Sequence, residues 1–357
     1  MRAALGNARL RRAALATATA LAIAAVPLSA SIGGSAGAST LTNPKHFFWA
    51  KGQASAGDPT NDLIYHGGNA GTGAIGVETK PAVYLIFWGT QWAKGFKTAD
   101  TNGKLYSSNT LRTYVQSFFG NVGGSPWAGV QTQYCKGIPA GSTSCAGVTG
   151  AKFITNPTGQ LKGVWTDPTP VPSDIITLGL AENLVNDPIA NEAQRAAAHF
   201  NYNAQATYII LTPPTTVATG EPVYCGYHTQ TTSVNGIGNP FRLQYAFIPF
   251  LNMNWPGIGT GGCGMHNVNA TSDSFGNGIF DGYSIVTGHE YAEAVTDPDN
   301  FASVQDGWND AQTSENGDKC AWTNTQNIAL GTHQFAVQPL WSNEAFNATG
   351  NGCVVSR

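Results

Sequence analysis

Residues 287–300 read TGHEYAEAVTDPDN and set His289, Glu290, Glu293, Asp297 and Asp299 close together in a chain of which only 11% is charged. Asp281 can cap a helix at the head of this stretch, and Pro298 forbids its continuation past Asp297. Within that helix Ile285, Val286, Ala292 and Thr296 share a helical spacing with His289 and Glu293, which therefore point inward. Four residues span roughly 6 Å of rise, so an imidazole and a carboxylate so placed can share one divalent cation. Glu290 projects about 100° further round the helix, where a general base takes the proton of a metal-bound water. The acids continue beyond the helix. From Glu290 to Asp318 there are eight (Glu290, Glu293, Asp297, Asp299, Asp306, Asp310, Glu315 and Asp318), followed by Lys319. Crowded carboxylates repel unless they are solvated or bound to cations. Two plainer readings stand beside the catalytic one. A solvated polar helix end carries the same letters, and GWNDAQTSENGDKC (307–320) could fold as a structural calcium loop with Asp310, Glu315 and Asp318 as oxygen ligands.

The helix resembles the HExxH helix of zinc metallopeptidases, in which two histidines bind metal and the glutamate between them is the base. Extended to HExxHxxGxxH, the pattern becomes here His289-Glu290-x-x-Glu293-x-x-Thr296-x-x-Asp299. The resemblance implies a zincin-like domain in which His289, Glu293 and Asp299 hold the metal and Glu290 is catalytic. Asp297, Glu315 and Asp318 are alternative third ligands. Glutamate replaces the second histidine, threonine replaces the turn glycine, and no methionine follows Met265. Such an oxygen-rich set keeps zinc as first choice but lets Mn²⁺ or Ca²⁺ compete better.

Elements able to position these residues are legible along the chain. PAVYLIFWG (81–89) is a continuous apolar run between Pro and Gly and reads as a buried strand; ATYIILTPP (206–214) and FRLQYAFIPFL (241–251) repeat its character. Residues 109–122 and 191–200 have helical spacing, and another helical region begins near Ile175. VYCGYHT (223–229) fits a strand or a loop. This alternation supports an α/β or α+β domain with a mixed sheet and long Gly/Asn/Thr-rich loops. Residues 81–357 are read as one globular domain and 39–80 as a flexible lead-in.

Arg2, Arg9, Arg11 and Arg12 precede a short alanine-rich apolar stretch, so residues 1–38 read as a secretory signal peptide. Its removal leaves 14 basic against 21 acidic side chains, a formal net of -7, which argues against nucleic acid as a partner. No later segment is long and apolar enough to span a bilayer. The six cysteines form no CxxC pair, and an even count in an exported chain favours disulfides. Sequence proximity suggests Cys135-Cys145, Cys225-Cys263 and Cys320-Cys353.

Several segments together resemble the extracellular EXORDIUM-like family, the phosphate-induced plant cell-wall proteins and their bacterial relatives. They are VYLIFWGTQW, CGYH at 225–228, LQYAFIPF, GHEYAEAVTDP and FAVQPLWSN. The resemblance implies an exported protein with a His-Glu-x-x-Glu helix and no settled reaction. It draws attention to His228 beside Cys225 and His266 near Cys263, either of which could reach the metal from another segment. His46, His66, His199 and His333 attract no role. Two classes of function follow. One is an exported metal-dependent hydrolase, foremost a peptidase acting on peptide or protein. The other is a non-catalytic cell-wall or carbohydrate-associated protein with structural calcium, whose tryptophans stack on glycan. Serine catalysis lacks its GxSxG turn. Paired carboxylates for glycoside cleavage remain open, with Glu290 facing Glu293 or Glu315.

Overall fold

A computed structural model of the chain describes residues 45–53, 57–68, 73–181, 184, 186–215, 223–231, 242–255, 259, 261–270, 278–299 and 305–357. All of them fall within the compact unit Leu41–Arg357. The expected signal peptide, 1–38, lies outside the described residues.

Six strands form the main sheet: β1 (His46–Trp49), β2 (Ala82–Trp88), β3 (Leu161–Asp167), β4 (Ala206–Leu211), β5 (Tyr224–Thr231) and β6 (Leu243–Ile248). Their order is β1-β5-β6-β4-β2-β3. β6, β4, β2 and β3 run parallel, while β5 is antiparallel to both β6 and β1. Every residue of β2, β4, β5 and β6 is buried. Such two-sided burial is why β2 and β4 read in the sequence as nearly unbroken apolar runs instead of alternation, whereas β5 buries His228, Thr229 and Gln230 as well. The helices are α1 (Ser108–Val122), α2 (Pro188–Phe200) and α3 (Asp281–Thr296) among others, which makes the fold mixed α/β around a mixed sheet.

Sequence periodicity located α1, α2, α3, β2, β4 and β6, and VYCGYHT proves to be strand. One expectation is corrected. Of the expected flexible lead-in 39–80, the described residues include β1 at the sheet edge and a strand, Ile64–Gly67, that pairs with Gly307–Asn309, so those parts belong to the domain. These strands are only four residues long, too short for a periodic signal, and their partners lie far along the chain.

α3 is buried along all sixteen residues, so the solvated helix end is not what forms. It packs on β4, β5 and β6 and on a C-terminal strand, His333–Val337. Asp281 sits in its first turn and does not cap its own helix; the carboxylate accepts from the backbone N–H of Val268 (2.8 Å) and Asn269 (2.7 Å). The helix ends at Thr296, two residues before Pro298, as the sequence requires.

The three disulfides join Cys135 to Cys145, Cys225 to Cys263 and Cys320 to Cys353, the pairs proximity suggests. Two of them anchor segments that matter below: Cys225 lies on β5, and Cys320 follows a short acidic loop. Among the described residues no helix is long and apolar enough to cross a membrane.

Candidate metal centre

Three segments converge on α3. Its last two turns supply His289, Glu290 and Glu293; β5 supplies His228; the loop before Cys320 supplies Glu315 and Asp318. Two glycines permit the approach. A Cβ on Gly226 of β5 would stand 2.8 Å from Oε1 of Glu290 and 2.9 Å from Cγ1 of Val286. A Cβ on Gly317 would stand 2.7 Å from Nδ1 of His289 and 2.8 Å from Oε1 of Glu293. Neither glycine has positive φ, so both are needed for space and not for backbone freedom.

The donors form two groups that share one residue. In the first, Nε2 of His289 lies 3.0 Å from Oε1 of Glu293 and 3.8 Å from Oδ1 of Asp318. The backbone N–H of Asp318 donates to Oε1 of Glu293 at 2.9 Å, which ties the loop to the helix. In the second, Nδ1 of His228 lies 3.2 Å from Oε2 of Glu290 and 3.4 Å from Oε2 of Glu293. Beyond it, Nε2 of His228 is 3.4 Å from Oε1 of Glu315, whose Oε2 is 2.8 Å from Nδ1 of His46 on β1. β1 pairs with β5 so that His46 stands opposite His228. The next inward residue, Phe48, stacks on the His289 ring at 3.9 Å between centroids. Strand alternation turns the intervening Phe47 the other way, against Tyr224 and Tyr227.

His289, Glu290, Glu293 and Glu315 are at most 1% exposed. Solvent touches the cluster at Asp318, whose side chain is 31% exposed, and at His46 with 14%. Nδ1 of His289 and Oε1 of Glu290 make no hydrogen bond, while Nε2 of His289, Nε2 of His228 and both carboxylate oxygens of Glu315 meet only the ion-pair contacts of the cluster itself. Buried ionisable atoms left this way are costly unless something further binds them, and the donor types fit a divalent cation.

Protonation shifts express the same crowding. Burial alone would lower His46 and His289, yet the carboxylate each faces (Glu315 and Glu293) lifts both to about 9. His228 is raised well above its usual range, the charge of Glu315 and hydrogen bonds to Glu290 and Glu293 outweighing burial. Burial raises Glu290 to about 7, against the lowering effect of His228. Asp318 rises to about 8 through burial and the neighbouring Glu293, against the lowering charges of His289 and His46. Glu293 and Glu315 are lowered despite burial because histidines face them.

The remaining predicted residues fall elsewhere. Asp299 accepts hydrogen bonds from the backbone N–H of Ile75 and of Gly76 and lies 3.7 Å from Nη1 of Arg242, so it pins the 73–76 segment instead of joining either donor group. Proline at 298 ends the helix, so an expected ligand one turn beyond it no longer follows the helical face. Asp297 accepts from Nδ2 of Asn309 at 2.9 Å and belongs to neither group. Asp310 pairs with Lys319 at 3.1 Å and accepts from the N–H groups of Gln312 and Ser314, bonds that close its loop. His266 binds the carbonyl of Asn269 and takes no part. His46, given no role from the sequence, stands at the rim, and only pairing of β1 with β5 reveals it.

Compared with models of known protein families, with curated proteins and with solved structures, the chain matches none.

Proposed function

We propose that this chain is an exported metal-dependent hydrolase of zincin-like organisation that cleaves peptide bonds. The observation that carries the reading is the convergence of His289, Glu293 and Asp318 on one buried point, with Glu290 one residue along the same helix. Asp318 takes the third position that the helix resemblance assigned to Asp299. Zinc is the first choice, and two carboxylates beside one imidazole admit Mn²⁺ or Ca²⁺. When bound, the cation supplies Lewis-acid polarisation of the scissile carbonyl and acidifies the attacking water. Glu290 receives the proton of that water on Oε1, the oxygen without a hydrogen-bond partner, and its elevated affinity for a proton suits transfer near neutrality. His228 at 3.2 Å from Oε2 orients the carboxylate. The signal-like N-terminus and the disulfides support export.

The test is hydrolysis of an unfolded protein such as casein by the metal-loaded mature chain and by Glu290→Gln. Loss of a general base lowers kcat about 10²–10⁴-fold while bound metal stays. Unchanged turnover in Glu290→Gln would remove the mechanism. The deep burial of the donors favours a second reading, a non-catalytic cell-wall or glycan-binding protein with a structural cation such as Ca²⁺. That reading expects chelation to lower Tm in a protein without hydrolytic activity.

A further inference from the structure

We propose that the centre is built for two cations, with Glu293 as the bridging carboxylate and His228 and Glu290 as the second ion's own ligands. The first ion is the one already assigned to His289, Glu293 and Asp318, so the proposal deepens that reading.

The division of Glu293 is the leading observation. Its Oε1 faces His289 at 3.0 Å, while its Oε2 faces His228 at 3.4 Å. Each oxygen therefore serves a different imidazole, and each resulting group has the same make-up of one histidine and two carboxylates. A carboxylate that joins two ions through its two oxygens suits the ~3.5–4 Å separation of two-metal sites.

Spacing in the second group also fits an ion better than a hydrogen bond. Ligands held at ~2.0–2.1 Å from a tetrahedral ion stand roughly 3.3 Å from one another. Nδ1 of His228 is 3.2 Å from Oε2 of Glu290 and 3.4 Å from Oε2 of Glu293. A single N–H cannot donate well to both oxygens, whereas an ion answers both at once.

An independent observation lies in the atoms left over. His228 is 2% exposed and Glu290 and Glu315 are fully buried, yet Oε1 of Glu290 makes no hydrogen bond, and Nε2 of His228 meets only Oε1 of Glu315 at a long 3.4 Å. Charge points the same way: with Glu315 paired to His46 at 2.8 Å, the carboxylates Glu290, Glu293 and Asp318 still carry more negative charge than one divalent ion offsets. Ligation through Oε2 of Glu290 leaves its Oε1 uncoordinated. Glu315, opposite the far nitrogen of His228, then fixes that ring as second-row carboxylates do for metal-bound histidines.

The experiment is titration of metal-free mature protein with Zn²⁺, followed by elemental analysis, and EPR of the Mn²⁺-loaded protein. Two equivalents in the wild type, one in His228→Ala and one in His289→Ala support the proposal, as does a spin-coupled Mn²⁺ signal that collapses to isolated ions in His228→Ala. One equivalent in the wild type, kept in His228→Ala and lost in His289→Ala, overturns the second site and leaves the first reading standing. No metal in the wild type overturns both. If His228→Ala does not fold, the uncoupled or coupled state of Mn²⁺ in the wild type decides.

Discussion

Replacing Gly317 by alanine tests the proposed metal centre apart from general stability better than removal of a ligand does. Its φ is −80°, so alanine meets no backbone strain. The added Cβ would lie 2.7 Å from Nδ1 of His289 and 2.8 Å from Oε1 of Glu293, short of ordinary contact at ~3.5 Å by about 0.7 Å. The imidazole cannot retreat, because Phe48 stacks on it at 3.9 Å and Trp322 stacks on Phe48 at 4.7 Å. The loop must move outward, which stretches the 2.9 Å bond from Asp318 N–H to Glu293 and draws the Asp318 carboxylate off the shared point. Overpacking of this kind costs about 1–3 kcal/mol. Loss of ligand orientation costs roughly 10–100-fold in metal affinity. Zinc affinity is read by competition with a chromogenic chelator, and Tm is measured with and without metal. Gly120→Ala is the control: its Cβ meets nothing, and alanine within α1 favours the helix by up to about 1 kcal/mol. Wild-type zinc affinity in Gly317→Ala would refute the placement of the loop against His289 and Glu293.

Three further outcomes are expected. The metal-free protein loses stability as pH rises: His46 and His289 are held at about 9, above their unfolded value near 6.5, so their contribution is complete below about pH 6.5 and fades through pH 9. Glu290, raised to about 7, acts in the same direction between about pH 4.5 and 7, and urea midpoints of chelated protein across pH 6–9 that stay flat would contradict this. Because metal must displace the same protons, zinc affinity rises over that range. Asp299→Asn leaves the number of bound metal equivalents unchanged but lowers stability by about 1–3 kcal/mol, since its carboxylate holds the N–H groups of Ile75 and Gly76 and faces Arg242; loss of an equivalent by elemental analysis would restore Asp299 to the centre.

Much of the architecture was legible because it rests on local pattern. The apolar runs at 81–89, 206–214 and 241–251 read as strands and the stretches 109–122 and 280–298 as helices, and the structure places a strand or helix in each. The disulfide pairs followed from sequence proximity in the same way. β1 and β3 escaped notice for different reasons: β1 is four residues long, and β3 (LKGVWTD) at the far edge has neither an unbroken apolar run nor a regular alternation.

For the centre itself, the sequence determined the helix, its inward His289 and Glu293, and the adjoining Glu290, because one turn of backbone fixes those positions whatever surrounds them. Which other residues reach the helix was a tertiary matter. Asp299 lies ten residues from His289, yet Pro298 breaks the helix and turns it to the 73–76 backbone; His46, more than two hundred residues away, arrives at the rim through strand pairing with His228. Asp318 and Glu315 come in on a loop that Gly317 lets pass and Cys320–Cys353 holds. Helical spacing is a property of the chain, whereas the choice of a distant donor depends on which strand pairs and which glycine leaves room.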